Sequence, residues 1–396
     1  MTPGETIFVS AGEYSGDLLA ADLVVALKEV FPKLEPFGIT GPAMLRAGVK
    51  SIASIDDLGV MGIVEVAKRL APLRMLETSV LQRIEILEPK FAVLVDFAGF
   101  HLRLAEQLRA RGVTVFQYVA PKAWAWGGKR SAALQRDFAG VLGVLPFEED
   151  FFRRAGVPYS YVGSPHKDRA EKIRVDRQTL GLPSSKKLIG CLPGSRMDEI
   201  NLIVPWMHSI ASAVVAQGPD VEFVVPVAPS VPFDAVVEKF TVNGESVQEL
   251  SLGVKVGKFW IVRGMSLEVM AVVDAALVAS GTATLECGLI GTPMVVVYAM
   301  NDISFMLAQK LVKLPWVSLV NLVAGKEVVH EYIQTIPVQR VAQELLDLVQ
   351  KSPARDDMVR QLEDIRSSLT GGAALNAASV IASTMASLEP GATASR

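Results

Sequence analysis

The stretch FAVLVDFAGFHLRLAEQLRARGVTVFQYV, residues 91–119, decides the fold class. Phe91–Asp96 is a short apolar run closed by an acid, which is the length of a buried strand. Leu102–Arg111 carries apolar residues at helical spacing, and Val113–Val119 returns to β-branched and aromatic residues. Strand, helix and strand in so short a stretch form a βαβ unit, with parallel strands and a right-handed crossover.

The same alternation extends in both directions. Thr6–Ser10 reads as a buried strand before a helix at Asp17–Phe31, and Val141–Leu145 as a further strand. A polar stretch rich in Lys, Arg, Asp and Ser, Lys167–Lys187, interrupts the pattern. It restarts with a strand at Leu188–Leu192, a helix at Glu199–Gln217 containing Pro205, and a strand at Val221–Val227. Ala275–Ala279, Thr282–Leu289 and Met294–Tyr298 form another strand–helix–strand set. Helices at Val338–Gln350, Asp356–Leu369 and Ala373–Ala386 follow, then a tail, Glu389–Arg396, that reads as disordered. A chain of 396 residues fits two domains at about 150 residues each. The expectation is an α/β protein of two Rossmann-like, doubly wound domains facing a cleft, with ligands beyond the carboxyl ends of the strands.

Composition removes several classes. Charged residues are 20% and hydrophobic residues 50%, so packed cores are affordable and disorder is not expected. A net charge of −3 argues against a basic nucleic-acid binder. Cys191 and Cys287 are too few for a disulfide framework or a structural zinc site, and the four histidines show no ligand spacing. The apolar run Ile7–Val9 is too short for a signal peptide, and the uncharged run Ile200–Pro219 reads as an amphipathic helix rather than a membrane span. Mean hydropathy of +0.35 fits either large buried sheets or a protein that also meets lipid.

Four strand-end segments could carry chemistry. Ala11–Asp17, AGEYSGD, offers Gly12, Gly16 and free N–H groups at a helix start, with Glu13 placed to meet a ligand; a tight turn capped by Ser15 or Asp17 is the plainer account. Asp96 is either a general base or a helix cap. Leu192–Arg196, LPGSR, presents the Gly194 and Ser195 amides and the Arg196 fork to an anion; the alternative is a capping box from Ser195 to Asp198. Ser280, Gly281 and Thr282 leave room for a diphosphate, and Glu286 sits one turn on, suited to a ribose.

Two apolar segments stand apart. Tyr118–Trp126 contains Trp124 and Trp126 with Lys129 and Arg130 just after, either a core pair or a ligand edge. The 60–76 stretch mixes Val60, Met61, Ile63, Val66, Leu70, Leu73 and Leu76 with Lys68, Arg69 and Arg74. That suits contact with acyl chains or anionic lipid; a core helix broken by Pro72 is the more ordinary reading. The P-loop, the G-x-S-x-G elbow and the D-x-D metal motif are missing from the sequence.

Together these motifs resemble the bacterial lipid-A-disaccharide synthases, from Ala11 to about Gln334: A-G-E-x-S-G-D (11–17), G-P-x-M (41–44), V-M-G-I-V-E-V (60–66), the strand ending at Asp96, Y-V-x-P-x-x-W-A-W (118–126), L-P-F-E (145–148), L-P-G-S-R (192–196), A-S-G-T-A-T-L-E (279–286) and V-S-L-V-N-L-V-A-G-K-E (317–327). The resemblance implies a GT-B glycosyltransferase, inverting and independent of metal or cofactor. A UDP-diacylglucosamine donor would give its sugar to diacylglucosamine 1-phosphate, making a β(1→6) disaccharide and UDP. It implies work at the cytoplasmic face of the inner membrane, with the membrane surface and a homodimer as further partners and no nucleic acid.

The implied domains are 1–166 for the acceptor, with C-terminal helices 351–390 packing back onto it, and 167–350 for the UDP donor. The implied catalytic residues are Asp96 as base, Arg196 on the diphosphate and Glu13 as a further polar group in the cleft; Ser15, Trp126 and Asn321 are other cleft residues, and the 60–76 stretch is the acyl and membrane contact. Gly194, Ser195, Arg196, Ser280, Gly281, Thr282 and Glu286 would hold UDP. Gly99 and His101 depart from the usual D-x-P-D-F-N, as do Ser164–His166 from Gly-His-Pro and Val320 from Pro. The rival functions are a UDP-N-acetylglucosamine 2-epimerase or soluble-acceptor transferase of the same fold, and a non-catalytic two-domain binding protein.

Overall fold

The computed structural model describes residues 5–58, 66–126, 129–217, 220–242, 246–301 and 314–388, the side chains of 66–72, 125, 126 and 129 excepted. The chain divides into two compact units, Met1–Pro165 with Thr370–Arg396, and His166–Leu369.

The first unit is built on seven strands: β1 (Glu5–Ala11), β2 (Leu34–Thr40), β3 (Lys50–Ser54), β4 (Phe91–Val95), β5 (Thr114–Tyr118), β6 (Gly140–Gly143) and β7 (Tyr159–Tyr161). Their order is β3-β2-β1-β4-β5-β6-β7, with every pairing parallel. Every residue of β4 is buried, as expected for a parallel strand covered by helices on both faces. The order reverses between β1 and β4, which makes their carboxyl ends the switch point where doubly wound sheets receive ligands.

The second unit has eight strands: β8 (Lys187–Leu192), β9 (Val221–Val227), β10 (Val247–Leu250), β11 (Gly253–Val256), β12 (Phe259–Arg263), β13 (Ala275–Ala279), β14 (Met294–Tyr298) and β15 (Glu331–Ile333). The order β10-β11-β12-β9-β8-β13-β14-β15 puts its switch point between β8 and β13. β10, β11 and β12 pair antiparallel, an extension that the sequence reading did not foresee. The helix Met197–Ala216 covers this sheet and buries Ile200, Ile203, Val204, Met207 and Ile210, so its apolar length is that of a core helix.

The C-terminal helices divide differently from the expected return of 351–390. The helix Pro353–Ser368 stays with the second unit, its Leu362 and Ile365 buried in one cluster with Met294 and Val320. The helix Ala373–Leu388 alone joins the first unit, packing on Tyr14–Val30. Its buried face of Ala373, Ala377, Ala378 and Ile381 is small enough for close helix approach, which the larger residues of the preceding helix are not. The return is fastened where Ser164 N donates to Thr370 O at 2.7 Å and Asn376 Nδ2 to Val162 O at 2.9 Å.

Candidate active site

In the first unit the register aligns Ala11 with Val95 and Val95 with Tyr118, so the segments after β1, β4 and β5 emerge side by side. Glu13, Ser15 and Asp96 all lie exposed there. Asp96 is exposed, because the chain turns sharply as it leaves the buried strand. Asp96 and Phe97 both take left-handed backbone angles, φ 52° and 50°. Each such residue with a Cβ costs on the order of 1 kcal/mol or more, so neighbouring contacts must hold the turn. Capping does not explain Asp96: the helix Ala98–Ala110 has Phe97 at its N-cap and no side-chain cap bond.

Those contacts are buried and polar. Asp96 N donates to Tyr118 O at 2.9 Å. The Asp96 carbonyl accepts from His101 Nδ1 at 2.8 Å and Gln117 Nε2 at 3.1 Å, and His101 Nε2 pairs with Ser10 Oγ at 2.9 Å. Ser10, His101 and Gln117 are fully buried. Burial lowers the His101 imidazole to about 4, only partly offset by its bond to Asp96, so the ring is neutral near pH 7. Phe97 packs over Gly12, where a Cβ would lie 2.0 Å from the phenyl ring, so Gly12 is required by close approach.

Asp17 is structural. It is buried, and its carboxylate accepts from Gly41, Ala43 and Met44 N at 2.9, 2.7 and 3.0 Å, capping the short helix Pro42–Arg46. This ties the AGEYSGD turn to the G-P-x-M segment. Glu13 is itself at the N-cap position of the helix Tyr14–Val30, without a side-chain cap bond.

In the second unit, Leu192 pairs with Val278, which brings the segments after β8 and β13 together. Gly194 has φ 108° and Gly281 φ 146°, values that favour glycine. Ser195, Arg196 and Thr282 are exposed, and Ser280 and Gly281 are partly so. The capping-box alternative for Ser195 is not formed: Arg196 is the N-cap of Met197–Ala216, and no side-chain cap bond is made. Arg196 Nη1 lies 3.5 Å from Glu199 Oε1. Two helix starts, backbone amides and a guanidinium thus meet at one switch point, a geometry suited to an anion.

Glu286 lies on the helix Thr282–Ile290, with Oε1 3.1 Å from His166 Nδ1. Burial alone would raise its carboxyl; the bond and charge of His166 hold it below the usual carboxylate range. Asn321, expected as a cleft residue, is fully buried. Its Nδ2 donates to Val329 O and Glu331 Oε1, both at 2.8 Å, and its Oδ1 accepts from Val328 and Val329 N at 2.8 and 3.0 Å. That uses the full capacity of a side-chain amide. Asn321 therefore shapes the 317–331 segment rather than facing a ligand. The segment in turn meets the β13 turn, where Ser280 Oγ donates to Val317 O and Thr284 Oγ1 accepts from Leu319 N.

Other expected residues are only partly visible. Val60, Met61 and Ile63 lie outside the described residues. Val66, Lys68, Arg69 and Leu70 fall in the helix Val66–Leu87, which continues through Pro72 instead of breaking there, and their side chains also lie outside the described part. Leu73 and Leu76 are partly buried and Arg74 is exposed. Trp126 ends the short helix Ala123–Trp126, its side chain likewise outside. Trp124 donates from Nε1 to the buried Glu148 at 2.8 Å, joining the Y-V-x-P-x-x-W-A-W and L-P-F-E motifs. Ser10, His101, Gln117, Glu148 and His166 were not selected from the sequence as site residues. A polar Gln117 inside an otherwise apolar strand was the readable signal for one of them.

Comparison with protein families matches residues 7–383 to the model described as lipid-A-disaccharide synthetase. The chain belongs to the lipid-A-disaccharide synthase family. The lipid-A-disaccharide synthase of Myxococcus xanthus (strain DK1622) is 37% identical over 387 residues, covering 96% of this chain and 98% of that one. That of Serratia proteamaculans (strain 568) is 34% identical over 383 residues, covering 95% and 97%. Among solved structures, a putative UDP-N-acetylglucosamine 2-epimerase from Listeria monocytogenes aligns with TM-score 0.64 over 97% of this chain and 98% of its own, at 13% identity. Acinetobacter baumannii MurG aligns with TM-score 0.53 over 96% and 99%, also at 13% identity. These structures share the GT-B fold. A lipid-A-disaccharide synthase is a glycosyltransferase with a UDP-sugar donor and a lipid-linked acceptor. The epimerase rival rests on likeness of fold, whereas the synthase family matches in sequence along nearly the whole chain.

Proposed function

We propose that the first unit binds diacylglucosamine 1-phosphate, that the second binds UDP-diacylglucosamine, and that Asp96 is the general base of an inverting transfer. The acceptor 6-hydroxyl gives its proton to Asp96 as its oxygen attacks the anomeric carbon. The bond from that carbon to the diphosphate breaks on the opposite face, UDP leaves and the new linkage is β(1→6). Arg196, the Gly194 and Ser195 amides and the Ser280–Thr282 turn meet the charge that grows on the leaving diphosphate. Glu286 takes the ribose hydroxyls, with Glu13 and Ser15 beside the acceptor.

One observation carries this reading: Asp96 and Arg196 each stand exposed at the switch point of their own sheet, the acid in one unit and the cation in the other. The membrane part is supported by Met75 and Ile86, 67% and 69% exposed on the helix Val66–Leu87 beside exposed Arg74. On this reading the enzyme works at the cytoplasmic face of the inner membrane. A homodimer completes the reading, with light scattering as its test. Mass spectrometry of products from the purified protein and both acylated substrates is the decisive experiment. A disaccharide 1-phosphate with equimolar UDP supports the assignment; UDP-sugar consumed without disaccharide overturns it.

A further inference from the structure

The Asp96 carbonyl is held from two elements at once. His101 reaches it from the helix Ala98–Ala110 and Gln117 from β5, while Ser10 on β1 engages the far side of the imidazole. The carbonyl can only accept, so His101 Nδ1 carries the proton. Nε2 then has only a lone pair to offer and must accept from the Ser10 hydroxyl. Bond directions thus fix the tautomer and the ring orientation together. Gln117 Nε2 also donates to Val119 O at 3.1 Å, which couples the turn to a third left-handed residue, Val119 at φ 67°. The imidazole and the Phe97 ring meet in a T-shaped contact at a centroid separation of 5.9 Å, so the same side chain braces both Asp96 and Phe97. The buried network makes its bonds to the backbone of the turn, and the Asp96 carboxylate is left at the surface.

We propose that His101 is a positioning residue for the transfer: its Nδ1–H on the Asp96 carbonyl, backed by Ser10 and Gln117, sets the left-handed turn that aims the Asp96 carboxylate. The proposal rests on the reading of Asp96 as the base. It assigns to one nitrogen of the ring an effect on turnover that packing alone would not give.

Two amide substitutions separate the nitrogens. Asparagine can bring its amide N–H near the position of Nδ1, and glutamine near that of Nε2. His101→Gln and His101→Leu are expected to lower kcat on the order of a hundredfold, since small misplacement of a reacting group has effects of that size. The KM for the UDP-sugar should stay within about twofold, because donor binding is not the step disturbed. His101→Asn should recover most of the lost kcat even where its melting temperature is no higher than that of His101→Gln. Equal kcat in the Asn and Gln variants, or kcat that follows melting temperature across all three, overturns the positioning role. Asp96→Asn tests the underlying reading separately. Full activity there removes the base and the proposal with it, whereas an inactive Asp96→Asn beside equal His101 variants removes the positioning role alone.

Discussion

At the switch point of the first sheet the positive φ values fall on Asp96, Phe97 and, one strand over, Val119; at that of the second they fall on Gly194 and Gly281. The same topological position is thus turned in two ways. The first unit forces side-chain-bearing residues into a strained turn and fixes it with buried Ser10, His101 and Gln117. The second gives the strained positions to glycine, with backbone amides beside the exposed Arg196 guanidinium, itself 3.5 Å from Glu199. On the proposed assignment of Asp96, a base must be aimed, and a rigid and costly turn suits it. A diphosphate needs room and N–H groups, which glycine supplies without strain.

The sharpest break of this comparison is Asp96→Asn. Because the carboxylate is exposed, the variant should melt within a degree or so of wild type while kcat falls roughly 10³-fold, within the range of general-base effects. Turnover near wild type would make the strained turn a structural curiosity. Arg196→Ala comes next, with kcat/KM for the donor lowered by about 10²-fold as leaving-group charge goes unmet. Arg196→Lys should recover only part of it, since an ammonium cannot present the guanidinium fork. Full recovery would show that point charge suffices.

A pair of glycines tests the two means of turning. Gly281 combines φ 146° with ψ −157°, a region open essentially to glycine, yet a Cβ there would touch nothing within 4 Å. Gly281→Ala should therefore cost roughly 1–3 kcal/mol through the backbone alone, and weaken UDP binding about tenfold, measured by calorimetry. Gly12 has no positive φ, but its Cβ would strike the Phe97 ring. Gly12→Ala should be relieved by Phe97→Ala, and no single second substitution should relieve Gly281→Ala. Additive effects in the Gly12–Phe97 cycle would refute the steric account.

What could be read from the sequence follows from how each part is buried. Phe91–Val95 and Val221–Val227 lie in parallel sheets covered on both faces, so they appear as unbroken apolar runs. Leu34–Thr40 was not legible, because Pro36 and Gly38 interrupt it; Gly38 is needed where a Cβ would meet Val9 O at 1.6 Å. β10 is exposed at the sheet edge and carries little apolar pattern. Asp96, Arg196 and Ser280–Thr282 were legible as site candidates because they directly follow strands. Asn321 was expected in the cleft only from the resemblance, and its amide is spent on four bonds within its own segment. His101 and Glu148 could not be assigned, since the worth of a buried polar group is set by partners distant in sequence: Ser10 for the first, Trp124 and Tyr159 for the second.

The smallest expected effect on turnover concerns Glu148. Glu148 is 2% exposed, and its carboxylate accepts from Trp124 Nε1 at 2.8 Å and Tyr159 Oη at 3.2 Å. Burial pushes its carboxyl up to about 7, against hydrogen bonds that pull it down. Between about 4.5, the unperturbed value, and about 7, the folded protein holds a proton that the unfolded chain releases. Stability from this group is therefore complete below that window and is lost as pH rises through it, a change on the order of 3 kcal/mol. Glutamine keeps the shape and can still accept from Trp124, while its amide donates to Tyr159 Oη, whose proton goes to Leu145 O. Glu148→Gln should match wild type in melting temperature near pH 5 and exceed it near pH 8, with kcat within about twofold throughout. Parallel melting curves across that range would mean that Glu148 titrates as an ordinary carboxylate. The clamp between the two motifs would then be held by a charge rather than by a proton.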